Sequence, residues 1–287
     1  MTNLEEEINS TQYIEDVIRD KSVKEMVIGQ QDKLINSIKI GFKTLFYSKK
    51  WLIYIALAFI FLPVIILIEI VIEGGTIEIK KPDEAFIDIT NMLFPLIFVF
   101  GCLLISLPLS ADEISDHSIE LYLVRPIKRE VYWLSRWIVV NVAVYCVNII
   151  IYFVYFLFVH AFAEKGVFAG MGGNFYVFGG VAIILLLATL IYSGSFLLVG
   201  MIGNRGLLLS FMLAIFELFF ISMLFLSKNP YIPQNNLFEI ANDLLPDHFD
   251  FDTPEDLKLL NAWIYVTIFP IVVFVGGAFY LRMREIK

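Results

Sequence analysis

The chain has 287 residues, of which 59% are hydrophobic and only 17% charged. Its mean hydropathy of +0.77 excludes an ordinary soluble domain. A net charge of -8 and a pI near 5.0 exclude the basic footprint of a nucleic-acid binder, so no nucleic-acid partner is expected. Cys102 and Cys146 both lie inside apolar runs and set no disulfide framework.

Residues 1–32 form an acid-rich N-terminal extension, where Tyr13, Ile14, Val17 and Ile18 at helical spacing predict a loosely attached cytosolic helix. No signal peptide is evident, because the first apolar run starts only at Trp51 after a long charged segment. Over residues 33–50, Ile35, Ile38, Phe42, Leu45 and Phe46 make one apolar side, and Lys33, Lys39, Lys43, Lys49 and Lys50 line the rest. A basic amphipathic helix of this kind lies in the membrane interface, with Lys43, Lys49 and Lys50 at the inner headgroups. The same lysines would also serve as a plain positive flank for the first membrane helix.

Six apolar runs follow, over residues 51–72, 89–110, 137–159, 177–202, 207–226 and 263–281. Each is close to the length a helix needs to cross a bilayer. Trp51, Trp137 and Trp263 stand at run starts, as interfacial aromatics do. With the N-terminus inside, the inner segments hold sixteen Lys and Arg and the outer ones five. That asymmetry predicts an all-α, multi-pass protein of the cell membrane with both termini cytosolic.

Between the second and third runs, residues 111–136 form the one long polar segment with an ordered pattern. On a helix, Asp112, Glu113, Asp116 and Glu120 share an arc of roughly 100°. A short helix with one acidic side is predicted, stopping before Pro126, which has no amide hydrogen and bends the residue before it away from helical dihedrals. A basic cluster of Arg125, Lys128, Arg129 and Arg136 leads into the third run.

The fourth and fifth runs are joined only by Gly203 to Gly206 and must be antiparallel neighbours. Gly194, Gly200 and Gly203 allow close backbone approach there. The longest outer loop, residues 228–262, is expected to carry a short amphipathic helix from Asn236 to Leu245, with Leu237, Ile240, Ala241 and Leu244 on one side. Its acids lack the ligand spacing and central glycine of an EF-hand loop.

The polar segment resembles the cytosolic loop of ABC-2 type transporter permeases. Glu113, Ser118, Leu121, Leu123, Arg125, Pro126, Ile127, Arg129 and Arg136 fall on that pattern, while His117 stands where the family usually has glycine. The resemblance implies a six-helix ABC-2 (type V exporter-like) architecture over residues 33–287, with 33–50 as the elbow helix. It implies that residues 111–136 form a coupling loop that docks on a separate ATPase subunit. In that scheme Glu113, Ser118, Glu120, Leu121, Leu123 and the Arg125–Pro126 turn make the contact, and Arg129 and Arg136 anchor the loop at the inner headgroups. The complex would hold two permease copies or homologues and two ATPase subunits, with ATP and Mg bound only by the latter. A solvated loop that orients two membrane helices and touches nothing is the other reading of the same residues.

No catalytic constellation appears, and this chain is not expected to be an enzyme. His117, His160 and His248 form no HExxH pattern, and Gly170, Gly172 and Gly173 lack the Lys-Ser or Lys-Thr of a phosphate-binding loop. Glu217, near the middle of the fifth run, is the one ionisable residue away from the span ends. A charge there is costly unless paired, hydrated or protonated. It marks a translocation pathway, a contact between two permease copies, or a protonated acid hydrogen-bonded to a neighbouring helix. The expectation is therefore an exporter permease. An ion-coupled secondary transporter and a non-transporting membrane anchor for an ATPase are the alternatives, and the sequence does not reveal the cargo.

Overall fold

The computed structural model describes residues 32–60, 82–115, 128–161, 171–216, 232–245 and 257–283. Among the described residues the chain is all-helical. Helix α1 covers residues 32–48 and α2 Lys50–Ile60. A long rod follows, in which α3 (Pro82–Leu93) runs through a π-helical turn (Phe94–Phe98) into α4 (Val99–Ser106) and a 3-10 turn (Leu107–Leu109). After it come α5 (Ala111–Ser115), α6 (Arg129–Ala161), α7 (Met171–Gly200), α8 (Asn204–Ile215), α9 (Pro233–Leu244) and α10 (Leu259–Met283).

Helices α6, α7 and α10 are long and apolar enough to cross a membrane. A stretch in hydrocarbon requires its peptide groups to be satisfied internally, and helical hydrogen bonding does this mid-segment, apart from the Val266 carbonyl, for which Pro270 has no amide hydrogen. Of the first and fifth expected spans, only residues 51–60 and 207–216 are described, as α2 and most of α8. The N-terminal extension as far as residue 31 lies outside the described residues.

The packing centre is α7, which lies against α4, α6, α8, α9 and α10. Close approach is bought with small residues where a larger neighbour needs room. A Cβ on Gly101 would come within 2.3 Å of the Tyr54 ring, and one on Gly277 within 2.0 Å of the Trp133 indole. Trp133 also donates its Nε1–H to the Phe274 carbonyl at 2.8 Å, which fastens α6 to α10. Buried polar side chains join the helices elsewhere. The Tyr54 hydroxyl donates to Asn148 Oδ1, Tyr155 donates to the Ala58 carbonyl at 2.8 Å, and Ser193 donates to Asn141 Oδ1 at 2.9 Å. Between membrane helices there is little hydrophobic drive, so small residues and polar bonds of this kind set the association.

Three expectations are revised. The second apolar run is preceded by helix from Pro82, so Asp83, Glu84 and Asp88 belong to the same rod. Within it Pro95 has no amide hydrogen for the i−4 bond, and the backbone widens into the π-helical turn around it. The connection before α8 is tighter than the four residues expected, because Gly203, at φ 88°, makes the reversal and α8 begins at Asn204. Gly206 then lies inside α8 against α7, where a Cβ would come 2.2 Å from the Val199 carbonyl. Finally, the outer-loop helix starts earlier than expected, at Pro233, a residue suited to a first helical turn. Its Leu237, Ile240 and Ala241 are buried on the expected side.

Candidate functional site

The densest polar arrangement among the described residues lies where the two ends of the polar segment meet. It is built by α5, the first two turns of α6, and α1. The rod ends at Ser110, whose side chain sits against Gly200, where a Cβ would approach Ser110 Oγ to 2.2 Å. Ile114 similarly packs against Gly203. The glycines predicted to permit close helix approach thus seat α5 on the α7–α8 turn. This placement aims Glu113 inward, toward α6.

Glu113 is 3% exposed and Arg136 is 0% exposed. Arg136 Nη2 lies 2.8 Å from Glu113 Oε1, and Arg136 Nε donates to Glu113 Oε2 at 3.0 Å. The Tyr132 hydroxyl donates to Glu113 Oε2 as well. The guanidinium rests over the Tyr132 ring, 4.8 Å from its centroid, and its Nη1 donates to the Ser37 carbonyl of α1 at 3.2 Å. Ser135 donates to the Tyr132 carbonyl at 2.7 Å, so in the 2.6 Å contact between Ser37 Oγ and Ser135 Oγ the proton comes from Ser37. Burial pushes the Glu113 carboxyl above its ordinary pKa, while the Arg136 charge and the Tyr132 and Arg136 hydrogen bonds pull against that rise.

A planar guanidinium matches a carboxylate at two points, and this explains why arginine rather than lysine suits the position. Gly41 on α1 makes the approach possible, since a Cβ there would sit 2.7 Å from Arg136 Nη1. Two peripheral ties extend the junction. Lys50, at the start of α2, reaches Asp112 Oδ2 at 2.5 Å. Arg129 Nη1 donates to the carbonyls of Leu281 and Arg282 at 3.0 and 3.2 Å, capping the end of α10.

The expected roles of these residues divide accordingly. Glu113, expected on an ATPase contact, and Arg136, expected at the headgroups, turn inward to each other, because each buried charge requires the other as its partner. Lys43 and Lys49 are exposed, Lys50 is half-exposed on its ion pair, and Arg129 spends one nitrogen on α10. Ser118, Glu120, Leu121, Leu123, Arg125, Pro126 and Glu217 lie outside the described residues. On α1, Ile38 and Phe42 pack on the core beside buried Leu45, but Ile35 and Phe46 are 49% and 59% exposed. The residues that meet α6 are Ser37 and Gly41, whose small size admits Arg136.

Sequence reasoning missed Tyr132, Ser37, Ser135 and Gly41. Tyr132 and Arg136 stand four apart on α6, as do Ser37 and Gly41 on α1, which is the helical neighbour spacing. Nothing in either spacing names the other helix. Among the described residues no group of three His, Cys, Asp or Glu could hold a metal. His160 is buried and occupied, with Nδ1 bonded to the Phe156 carbonyl at 2.9 Å and Nε2 3.3 Å from Asn174 Nδ2.

The fold and site together define an all-helical chain with helices of membrane-crossing length and a buried charged junction at one end of the bundle. Comparison with protein-family models, with curated proteins and with solved structures finds no match.

Proposed function

We propose that this chain is the membrane-spanning permease subunit of an ATP-driven exporter of the ABC-2 type, with six membrane helices and both termini in the cytosol. The segment between α5 and α6 docks on a separate ATPase subunit, which binds ATP and Mg. A second permease copy or homologue completes the translocation pathway.

One observation carries the reading. The segment 116–127 leaves α5 and enters α6 at a single buried junction that also grips α1 and, through Arg129, α10. A displacement of that segment by a partner is therefore delivered to several helices at once, as a coupling loop requires. The two-point ion pair resists separation of the loop's ends, so the load moves helices rather than opening the loop. Residues 116–127, with Ser118, Glu120 and Arg125, supply the docking surface; Glu113 and Arg136 form its foundation.

The test is affinity purification of the tagged chain from native membranes, with identification of partners and an ATPase assay. A stoichiometric partner containing a GxxxxGK[ST] loop, released by charge reversal at Glu120 but not at Lys258, is expected. Purification to homogeneity without such a partner, in a preparation that still moves solute along an ion gradient, would replace this reading with secondary transport.

A further inference from the structure

A cleft of about 540 Å³ opens between α6, α7 and α10, lined by Leu134 and Trp137, Leu187 and Leu190, and the α10 stripe from Val266 to Phe274. Its one hydroxyl, that of Thr267, is already donated to the Trp263 carbonyl at 2.8 Å. Val266 and Pro270 form a buried floor on α10, and Ile271 stands at the rim, 57% exposed. We propose that this cleft holds one acyl chain of a bilayer lipid. The proposal requires α6, α7 and α10 to span the bilayer and does not depend on the exporter reading.

Depth is the first argument. At 1.5 Å per residue, the α10 lining lies about 13 to 25 Å from the helix end at Met283, well within a hydrocarbon layer about 30 Å thick. The wall carries no charge and no free hydroxyl, and the one unbonded donor among its side chains, the Trp137 Nε1–H, is buried toward Gly194 of α7. A neutral, apolar occupant is therefore favoured at that depth.

Size is the second. The volume falls within the roughly 300–1,000 Å³ of small-molecule sites. A helix of about 10 Å diameter would fill the cleft within roughly 7 Å of its length, little more than one turn. Close packing of a helix from a second copy also calls for glycine, alanine or serine at the contact. The lining has bulky side chains instead. Pro270 lies in this wall and has no amide hydrogen for the Val266 carbonyl.

Trp137, expected at the interface, instead packs on Phe274, about 13 Å from the end of α10, and is a built-in reporter in the wall. The full chain is reconstituted in phosphatidylcholine vesicles whose acyl chains are brominated at mid-length, near the headgroup, or not at all, and tryptophan emission is recorded. The contribution of Trp137 is the difference between the unaltered protein and Trp137→Phe. Mid-chain bromine is expected to quench that contribution at least twofold more than bromine near the headgroup, and Leu190→Phe or Ile271→Phe, which fill the cleft, should at least halve the effect. An unquenched Trp137, quenching indifferent to filling, or protection that grows with protein density as a second copy covers the cleft would each overturn the proposal. A measurement on the unaltered chain guards against misfolded variants. Phosphatidylcholine with a photoactivatable group at mid-chain should label α10 between residues 266 and 274 at least threefold more than the exposed Leu207, Leu208, Leu209, Phe211, Met212 and Leu213 of α8; equal labelling would refute a specific site.

Discussion

Arg136 on α6 and Glu113 on α5 form a two-point ion pair, at 2.8 and 3.0 Å, with almost no exposure on either side chain. Twenty-two residues separate them in the chain, and the expected docking segment is contained in that interval. The pair therefore closes the loop at its base and sets the spacing between α5 and α6.

Removing one member leaves a buried charge with no partner, which costs about 3–5 kcal/mol. Arg136→Met and Glu113→Gln should each lower the melting temperature in detergent by many degrees. Arg136→Met combined with Glu113→Leu should recover most of that loss, since a well-packed apolar replacement of a buried pair is often neutral. Equal and additive losses, measured by fluorescence-detected size exclusion after heating, would refute the coupling. Tyr132→Phe removes the hydroxyl that donates to the charged Glu113 and should cost about 1.5–3 kcal/mol.

Gly277 and Gly276 are neighbours on α10 with opposite surroundings. A Cβ at Gly277 meets Trp133 at 2.0 Å, whereas one at Gly276 meets nothing within 4 Å. Gly277→Ala should destabilise by about 1–3 kcal/mol through overpacking. Gly276→Ala should be neutral or slightly stabilising, since alanine is the better helix former by about 1 kcal/mol. Adding Trp133→Phe to Gly277→Ala should relieve part of the clash, as read from thermal unfolding of the four variants.

Lys49 joins α1 to α2 at φ 55°, a left-handed conformation that a β-branched residue strongly resists. Lys49→Gly should keep or raise stability by up to about 1 kcal/mol, and Lys49→Val should lower it by about 1–3 kcal/mol. Lys49→Asn, which tolerates the same conformation, separates backbone geometry from the lysine charge. If Asn behaves like Val in unfolding assays, the backbone account fails.

On α1, Gly41→Ala would place a methyl carbon 2.7 Å from Arg136 Nη1. The expected result is a loss of about 1–3 kcal/mol from overpacking, together with a weakened Ser37–Arg136 bond. In the background of Arg136→Met, whose flexible side chain can give way, the same substitution should cost much less. A double-mutant cycle on thermal stability measures that difference directly.

The elements that could be read from the sequence are those whose cause is local. Uncharged apolar runs of about 20 residues or more become α6, α7 and α10 because a helix satisfies its own backbone, whatever its neighbours are. The amphipathic spacing of Leu237, Ile240 and Ala241 likewise carried its own burial direction into α9. Residues 111–136 were identifiable as the site to examine, because polar order between apolar blocks is visible without a fold. Which of its side chains face outward was not visible. The direction of Glu113 depends on α5 sitting against Gly200 and Gly203, nearly 90 residues further along. Its neutralisation depends on an arginine that Gly41 of another helix admits. A buried charge is tolerable only where an opposite charge and hydrogen bonds converge in three dimensions, and that convergence comes from tertiary packing alone.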